Sequence, residues 1–346
     1  VSAAKTAAVA IATAAFALLS GALFLAPLAH ATFRGRNGQI AYGLYSNSEG
    51  EEGPEVFPLG IEAIRLGHPS RRSLLLTQAP PLVPSDCIEA PSYSPDGKLI
   101  AFDARWGSVE CEPYPAPPEP LSPAKNIFIM SASGGEVRQV TKEPHVEDSD
   151  PGFSPSGDQI VFSRSANRQT QIYTINTDGS GLHQLTTGRA DRVLNPRYSP
   201  DGKHIIFDSK KGIEELNRNG SGRHLLAADH GRYRVAEADF SPNGKLITFV
   251  KATGTKTWIY IARANGKAAR RISPPASLAV GSYCFHSFCA PSPIFSPDGK
   301  RILFVVFRGN EGSKLVAVPV AGRLRKVKPI ISRDFAIVRP SWQPLP

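Results

Sequence analysis

One phrase that keeps returning constrains this chain more than anything else in it. PRYSPDGKHIIF at 196–207 recurs as PSYSPDGKLIAF at 91–102, PGFSPSGDQIVF at 151–162, ADFSPNGKLITF at 238–249 and PIFSPDGKRILF at 293–304. Repetition at so long a period marks stacked supersecondary units, none of which can bury its apolar face alone. In the phrase an aromatic residue leads into Ser-Pro-Asp-Gly and then an Ile-x-Phe alternation. Proline presets φ for a turn and glycine accepts positive φ, so the phrase reads as strand, tight turn, strand, a β-hairpin. Ile100/Phe102, Ile160/Phe162, Ile205/Phe207, Ile247/Phe249 and Ile302/Phe304 stand two apart and share a buried strand face.

A sixth copy is split between the two ends. Asn37-Gly38-Gln39-Ile40-Ala41-Tyr42 matches the second half of the phrase, and Pro340-Ser341-Trp342-Gln343-Pro344 matches its opening. A ring accounts for both halves, because a last strand pairing beside the first removes the exposed edges of an open array. Between hairpins a second strand pair recurs: 171–175 and 183–186, 127–130 and 138–141, 258–261 and 270–273, 213–216 and 224–226, each around a glycine turn. The expectation is an all-β, six-bladed β-propeller of four-stranded antiparallel blades over 32–346, closed by pairing of the C-terminal strand with the N-terminal blade. The 31 Pro, 30 Gly and single Met suit many short strands and turns.

Before the repeats come Lys5, an apolar run over 6–28 and Ala29-His30-Ala31, an A-x-A pattern that reads 1–31 as a signal peptide. The run is also long enough for a membrane anchor, so membrane contact is expected only if the segment is retained. Either reading places the rest outside the cytoplasm: secreted, periplasmic or in the cell envelope. Four cysteines in such a compartment favour two disulfides. Cys87 with Cys111 would clamp the Pro-rich segment 113–123, and Cys284 with Cys289 would bridge locally, free thiols being the alternative. Cys284-Phe-His-Ser-Phe-Cys289 has no familiar zinc spacing, and neither metal nor cofactor is expected.

The compact glycine turns are expected at one end of the units, and the long insertions at the other, where recognition is expected. The residue just before each inner strand marks the mouth of the central channel: Ala90, Asp150, Asn195, Glu237, Ser292 and Arg339. The last five are the expected binding set. The recurring aromatics Tyr93, Phe153, Tyr198, Phe240, Phe295 and Trp342 are expected in the core. A net charge of +10, dense at 263–271 and 323–328, reads mostly as solvated edge. It also suits an anionic glycan or wall polymer, whereas nucleic acid is not an expected partner in that compartment.

The phrase, with Ile-Tyr-x-Ile and Gln-Leu-Thr following at 172–175 and 184–186, resembles the repeat of the TolB-like six-bladed β-propellers, relatives of WD-type repeats. The resemblance covers nearly all of the chain after Thr32. It implies partner-binding character, and the expectation is a monomeric, non-catalytic scaffold for a protein or peptide partner, although propellers host binding proteins and enzymes alike. Some lyases of oligomeric uronic acids also resemble this repeat and place a histidine at the channel mouth. The rival expectation is therefore a polysaccharide lyase or hydrolase using His145, Asp150 and Glu237. No spacing in the sequence fixes a catalytic pair, and the Gly-x-Ser-x-Gly elbow of an α/β-hydrolase is missing.

Overall fold

The computed structural model describes residues 33–50, 53–65, 68–76, 88–105, 124–188, 192–253, 256–273, 291–307, 313–321, 329–333 and 336–346. The segment 1–31 and the cysteines Cys87, Cys111, Cys284 and Cys289 lie outside the described residues. The strands β1 (Arg36–Gly50), β2 (Gly53–Arg65) and β3 (His68–Leu76) form one sheet with the last strand, β24 (Ala336–Leu345), in the order β24-β1-β2-β3. Next come β4 (Ile88–Tyr93), β5 (Leu99–Arg105), β6 (Lys125–Ser131) and β7 (Val137–Gln139), then β8 (Glu147–Phe153), β9 (Gln159–Ala166), β10 (Gln169–Asn176) and β11 (His183–Gln184). These eight share one sheet because a parallel bridge between Lys125 and Glu147 joins β6 to β8.

Three further four-stranded sheets follow. They are β12 (Leu194–Tyr198), β13 (His204–Ser209), β14 (Gly212–Asn217) and β15 (His224–Ala228); β16 (Arg234–Phe240), β17 (Leu246–Thr253), β18 (Lys256–Arg263) and β19 (Arg270–Arg271); and β20 (Ile294–Phe295), β21 (Arg301–Phe307), β22 (Ser313–Pro319) and β23 (Pro329–Arg333). The described chain is an all-β propeller whose hydrogen bonding gives five sheets where the sequence predicts six separate ones; the single Lys125–Glu147 bridge makes the difference. β24 pairs antiparallel with β1, Trp342 opposite Ile40. The first strands β4, β8, β12, β16, β20 and β24 pack in turn, and β24 packs on β4.

Local chemistry explains the hairpins. In the first complete phrase Ser94 Oγ donates to Asp96 Oδ1 (2.6 Å) and accepts from Leu99 N–H (2.9 Å), while Gly97 N–H donates to Ser94 O (2.9 Å). Gly97 needs its glycine, since φ is +69° and an added Cβ would meet the Pro344 carbonyl oxygen at 2.2 Å. In later copies a Cβ at the turn glycine would face the proline ring of the preceding turn: Gly157 toward Pro95, Gly202 toward Pro155, Gly244 toward Pro200 and Gly299 toward Pro242. Pro344 fills that place for Gly97.

The apolar core is divided among the seams. Ala41 and Ile61 pack with Tyr93, Phe102 and Phe128 between the β24-β1-β2-β3 sheet and β4–β7. Ile40, Tyr42 and Trp342 pack with Leu303, Val305 and Leu315 on the other side of the first sheet. The recurring aromatics of the phrase are buried, none more than 5% exposed, as expected of core side chains; burying each large apolar side chain contributes about 1.5–3 kcal/mol. Among the described residues no helix is long and apolar enough to cross a membrane.

Candidate functional site

The phrase opens with proline in most copies, and proline has no N–H to give to a strand ladder. The inner strands accommodate it with a bulge. Pairing skips between Glu89 and Ser92 on β4, Ser149 and Gly152 on β8, Leu194 and Arg197 on β12, and Ala236 and Asp239 on β16. The residue before the skipped proline, or before Ala238 on β16, turns left-handed: Ala90 (φ +45°), Asp150 (+60°), Asn195 (+54°) and Glu237 (+57°), as do Ser292 (+42°) and Arg339 (+43°) at the matching positions of the last two copies. These are the residues the sequence assigns to the channel mouth. The sequence places them just before the inner strands, but all except Ser292 lie inside them, because a bulge bends a strand without ending it. A left-handed non-glycine residue costs on the order of 1–3 kcal/mol, and such strain clusters at functional sites.

The bulges turn backbone N–H groups toward side chains of neighbouring units. Asn195 N–H donates to Asp150 Oδ2 (3.3 Å), Glu237 N–H to Asp208 Oδ1 (2.8 Å), and Ser292 N–H to Glu237 Oε2 (2.7 Å). Each bond runs from one sheet, or one half of the eight-stranded sheet, to the next. Asn195 Nδ2 also donates to Asp208 Oδ2 (2.7 Å). Arg339 spans further: β24 packs beside β4 and β20, yet Arg339 Nη1 donates to Asp150 Oδ1 on β8 and to Asn195 Oδ1 on β12 (2.8 Å). Arg197 Nη1 donates to the carbonyls of Pro196 (2.8 Å) and Asp150 (3.1 Å).

The electrostatics follow from enclosing several charges together. Burial, reinforced by the nearby charge of Asp208, pushes the Glu237 carboxyl up to about 8. Burial also raises Asp208 to about 6, against hydrogen bonds from Asn195 and the Glu237 N–H and the charges of Arg234 and Arg197. Of the two, Glu237 is the one that holds its proton more tightly. Desolvation lowers the Arg197 guanidinium from its ordinary value although Asp239, Asp208 and Glu237 favour its charge. Next to Ala90, Lys125 Nζ lies 2.5 Å from Asp103 Oδ2 and 3.0 Å from Glu89 Oε2. Burial raises Asp103 despite Lys125, and the two carboxylates hold Lys125 above the usual lysine value against its own desolvation.

The structure thus links Asp150, Asn195 and Arg339 directly, and Glu237 to Ser292. His145 stands apart: it is exposed in the turn before β8, and no hydrogen bond joins it to Asp150 or Glu237. Asp208, Arg197 and the Asp103–Lys125–Glu89 cluster are absent from the expected set. Their signal was an acidic residue directly after the buried phrase phenylalanine, Phe102-Asp103 and Phe207-Asp208, where the other copies carry Ser163, Val250 and Val305.

Residues 121–280 match the family model described as the TolB beta propeller domain. Over that stretch, somewhat under half of its length, the chain is similar to the TolB β-propeller. A TolB homolog of Chlorobium luteolum is 30% identical over 159 residues, 44% of this chain and 33% of that protein. The Tol-Pal system protein TolB of Francisella tularensis subsp. mediasiatica is 23% identical over 274 residues, 74% of this chain and 54% of that protein. The TolB-like propeller therefore spans about a third to a half of the length of these curated relatives. In structure it is similar to TolB from Acinetobacter baumannii, with a TM-score of 0.66 at 22% identity over 89% of this chain and 67% of that one. That likeness establishes the fold of the TolB-like propeller and nothing beyond it.

Proposed function

We propose that this TolB-like propeller is a six-bladed ring that binds a protein or peptide partner through its channel mouth and loop end, by surface complementarity without chemistry. The observation that carries the reading is the left-handed position repeated ahead of or within each inner strand, at Ala90, Asp150, Asn195, Glu237, Ser292 and Arg339, which spends backbone strain to hold five polar side chains fixed in advance. A rim preorganised by its own hydrogen bonds has little ordering left to do when a partner arrives. Six blades are supported by counting the eight-stranded sheet as β4–β7 plus β8–β11, by the β24–β1 pairing and by the way each turn glycine faces the proline of the preceding turn.

The names of the relatives suggest a partner within an envelope assembly such as the Tol-Pal system. On this reading 1–31 is a signal segment or anchor, 32–346 is the propeller, the compartment is periplasmic, and disulfides Cys87–Cys111 and Cys284–Cys289 restrain the loop end. The test is capture from envelope extract by the full chain beside an Asp150→Asn/Glu237→Gln/Arg339→Gln variant whose melting confirms that it is folded. Released glycan fragments are assayed in the same samples. A protein retained by the parent and lost by the variant is the expected result. Glycan cleavage dependent on His145 would replace the reading with a lyase or hydrolase.

A further inference from the structure

From Phe240 to Pro297 the sequence contains no Asp or Glu, yet it holds seven Lys or Arg. This stretch builds the outer three strands of the β16–β19 sheet, and two of its turns lie at the end of the fold that carries the glycine turns. Both turns keep the capping hydrogen bonds of their sister turns while omitting the charge. Asn243 Oδ1 accepts from Ser241 Oγ (2.8 Å) and from Lys245 N–H (3.0 Å). Asp96, Asp201 and Asp298 accept the equivalent pair of bonds in three other copies. Asn265 Oδ1 accepts from Lys267 N–H (3.1 Å), where Asp178 accepts from Ser180 N–H between β10 and β11. Asn219 serves in the same way between β14 and β15. Since an amide oxygen and a carboxylate oxygen cap these turns alike, turn geometry does not dictate the neutral choice; its consequence is electrostatic.

That consequence falls on three neighbouring cations. Lys245, Arg263 and Lys267 are exposed, and the backbone ties them together: Ala264 N–H donates to Lys245 O and Arg263 N–H to Lys267 O, both at 2.9 Å. Among the described residues none of the three is paired with a carboxylate. Lys245 and Arg263, with Leu246, Ala264 and Asn265, line an open groove of about 490 Å³, and Lys267 follows Asn265 in the same turn. At its flank Arg270 Nη2 donates to Val320 O (2.7 Å), and Val320 N–H donates to Lys300 O, so basic residues continue onto the next sheet.

We propose that this groove binds a linear polyanion, with Lys245, Arg263 and Lys267 as its charge contacts. A groove this open, flanked by exposed cations, suits a chain that lies along it better than a small anion, which would need donors enclosing it. A bilayer surface fits less well: the exposed large apolar side chains of the described residues are Leu74, Leu182, Leu225 and Tyr233, none of them in this stretch. The attraction is of the kind that salt screens and that releases counterions from the polymer.

Long-chain polyphosphate serves as the probe, titrated into the full chain at low and high salt, with anionic phospholipid vesicles as a separate arm. Binding that weakens with salt is expected, with a loss of roughly tenfold or more in K245Q/R263Q/K267Q. The more discriminating variant is N243D/N265D, which restores the carboxylates used in sister turns; it is expected to weaken binding several-fold with an unchanged melting temperature. Absence of polyphosphate binding, or variants that bind like the parent, would overturn the proposal. Vesicle binding that depends on these three cations without polyphosphate binding would overturn it in favour of a membrane surface.

Discussion

Glu237 is held left-handed by the bulge of β16, accepts the Ser292 N–H, and faces the carboxylate to which its own N–H donates. Burial and Asp208 raise its carboxyl to about 8, so folding favours the protonated form. The stability this contributes is fully present below the ordinary glutamate value and is lost as pH rises toward and through about 8, because the unfolded chain ionises first. Glu237→Gln keeps a carbonyl acceptor for Ser292 and cannot ionise. It is expected to melt higher than the parent by roughly 3 °C or more at pH 8.5, with the difference vanishing near pH 4.5, in thermal scans across that range. Equal melting at both pH values would show that Glu237 is not held neutral.

At the scale of the element, the hairpin turn is nearly self-sufficient, but its surroundings differ from copy to copy. Gly97 and Gly202 share a φ of +69°, so alanine at either site meets the same backbone penalty of about 1–2 kcal/mol. Only at Gly97 does the new Cβ run into a backbone oxygen, that of Pro344 at 2.2 Å; at Gly202 it meets the Pro155 side chain at 3.5 Å, an ordinary contact. Gly97→Ala is expected to lower the denaturant midpoint clearly more than Gly202→Ala. Equal costs would mean that the last strand does not press on this turn.

For the whole molecule, the strand that joins the two ends of the chain is the sensitive point. β24 supplies the partner for β1, the Trp342 side chain for the core with Ile40 and Tyr42, and Arg339 for the rim. Its Gln343 also donates to the Gly97 carbonyl at 2.8 Å and accepts the Gln39 N–H at 3.1 Å. Ending the chain after Arg333 removes all of these and leaves β1 as an open edge. The expected product is a destabilised chain that self-associates in sedimentation measurements. A folded monomer with the parent's denaturant midpoint would remove closure from the proposed design.

The repeated phrase alone determined the hairpins, the buried Ile-x-Phe faces and the aromatic core positions, because each depends on turn chemistry and strand alternation within a dozen residues. The left-handed bulge at Ala90, Asp150, Asn195 and Glu237 was not legible: the sequence shows a proline following most of them, but not that the inner strand continues through it. Nor could the sequence bring Arg339 to Asp150 or set Asp208 beside Glu237, since these contacts join strands far apart in the chain. Tertiary structure decided them, and with them the titration of Glu237 and Asp208. A carboxyl's proton affinity is set by whatever surrounds it in space, and several units of the fold meet there.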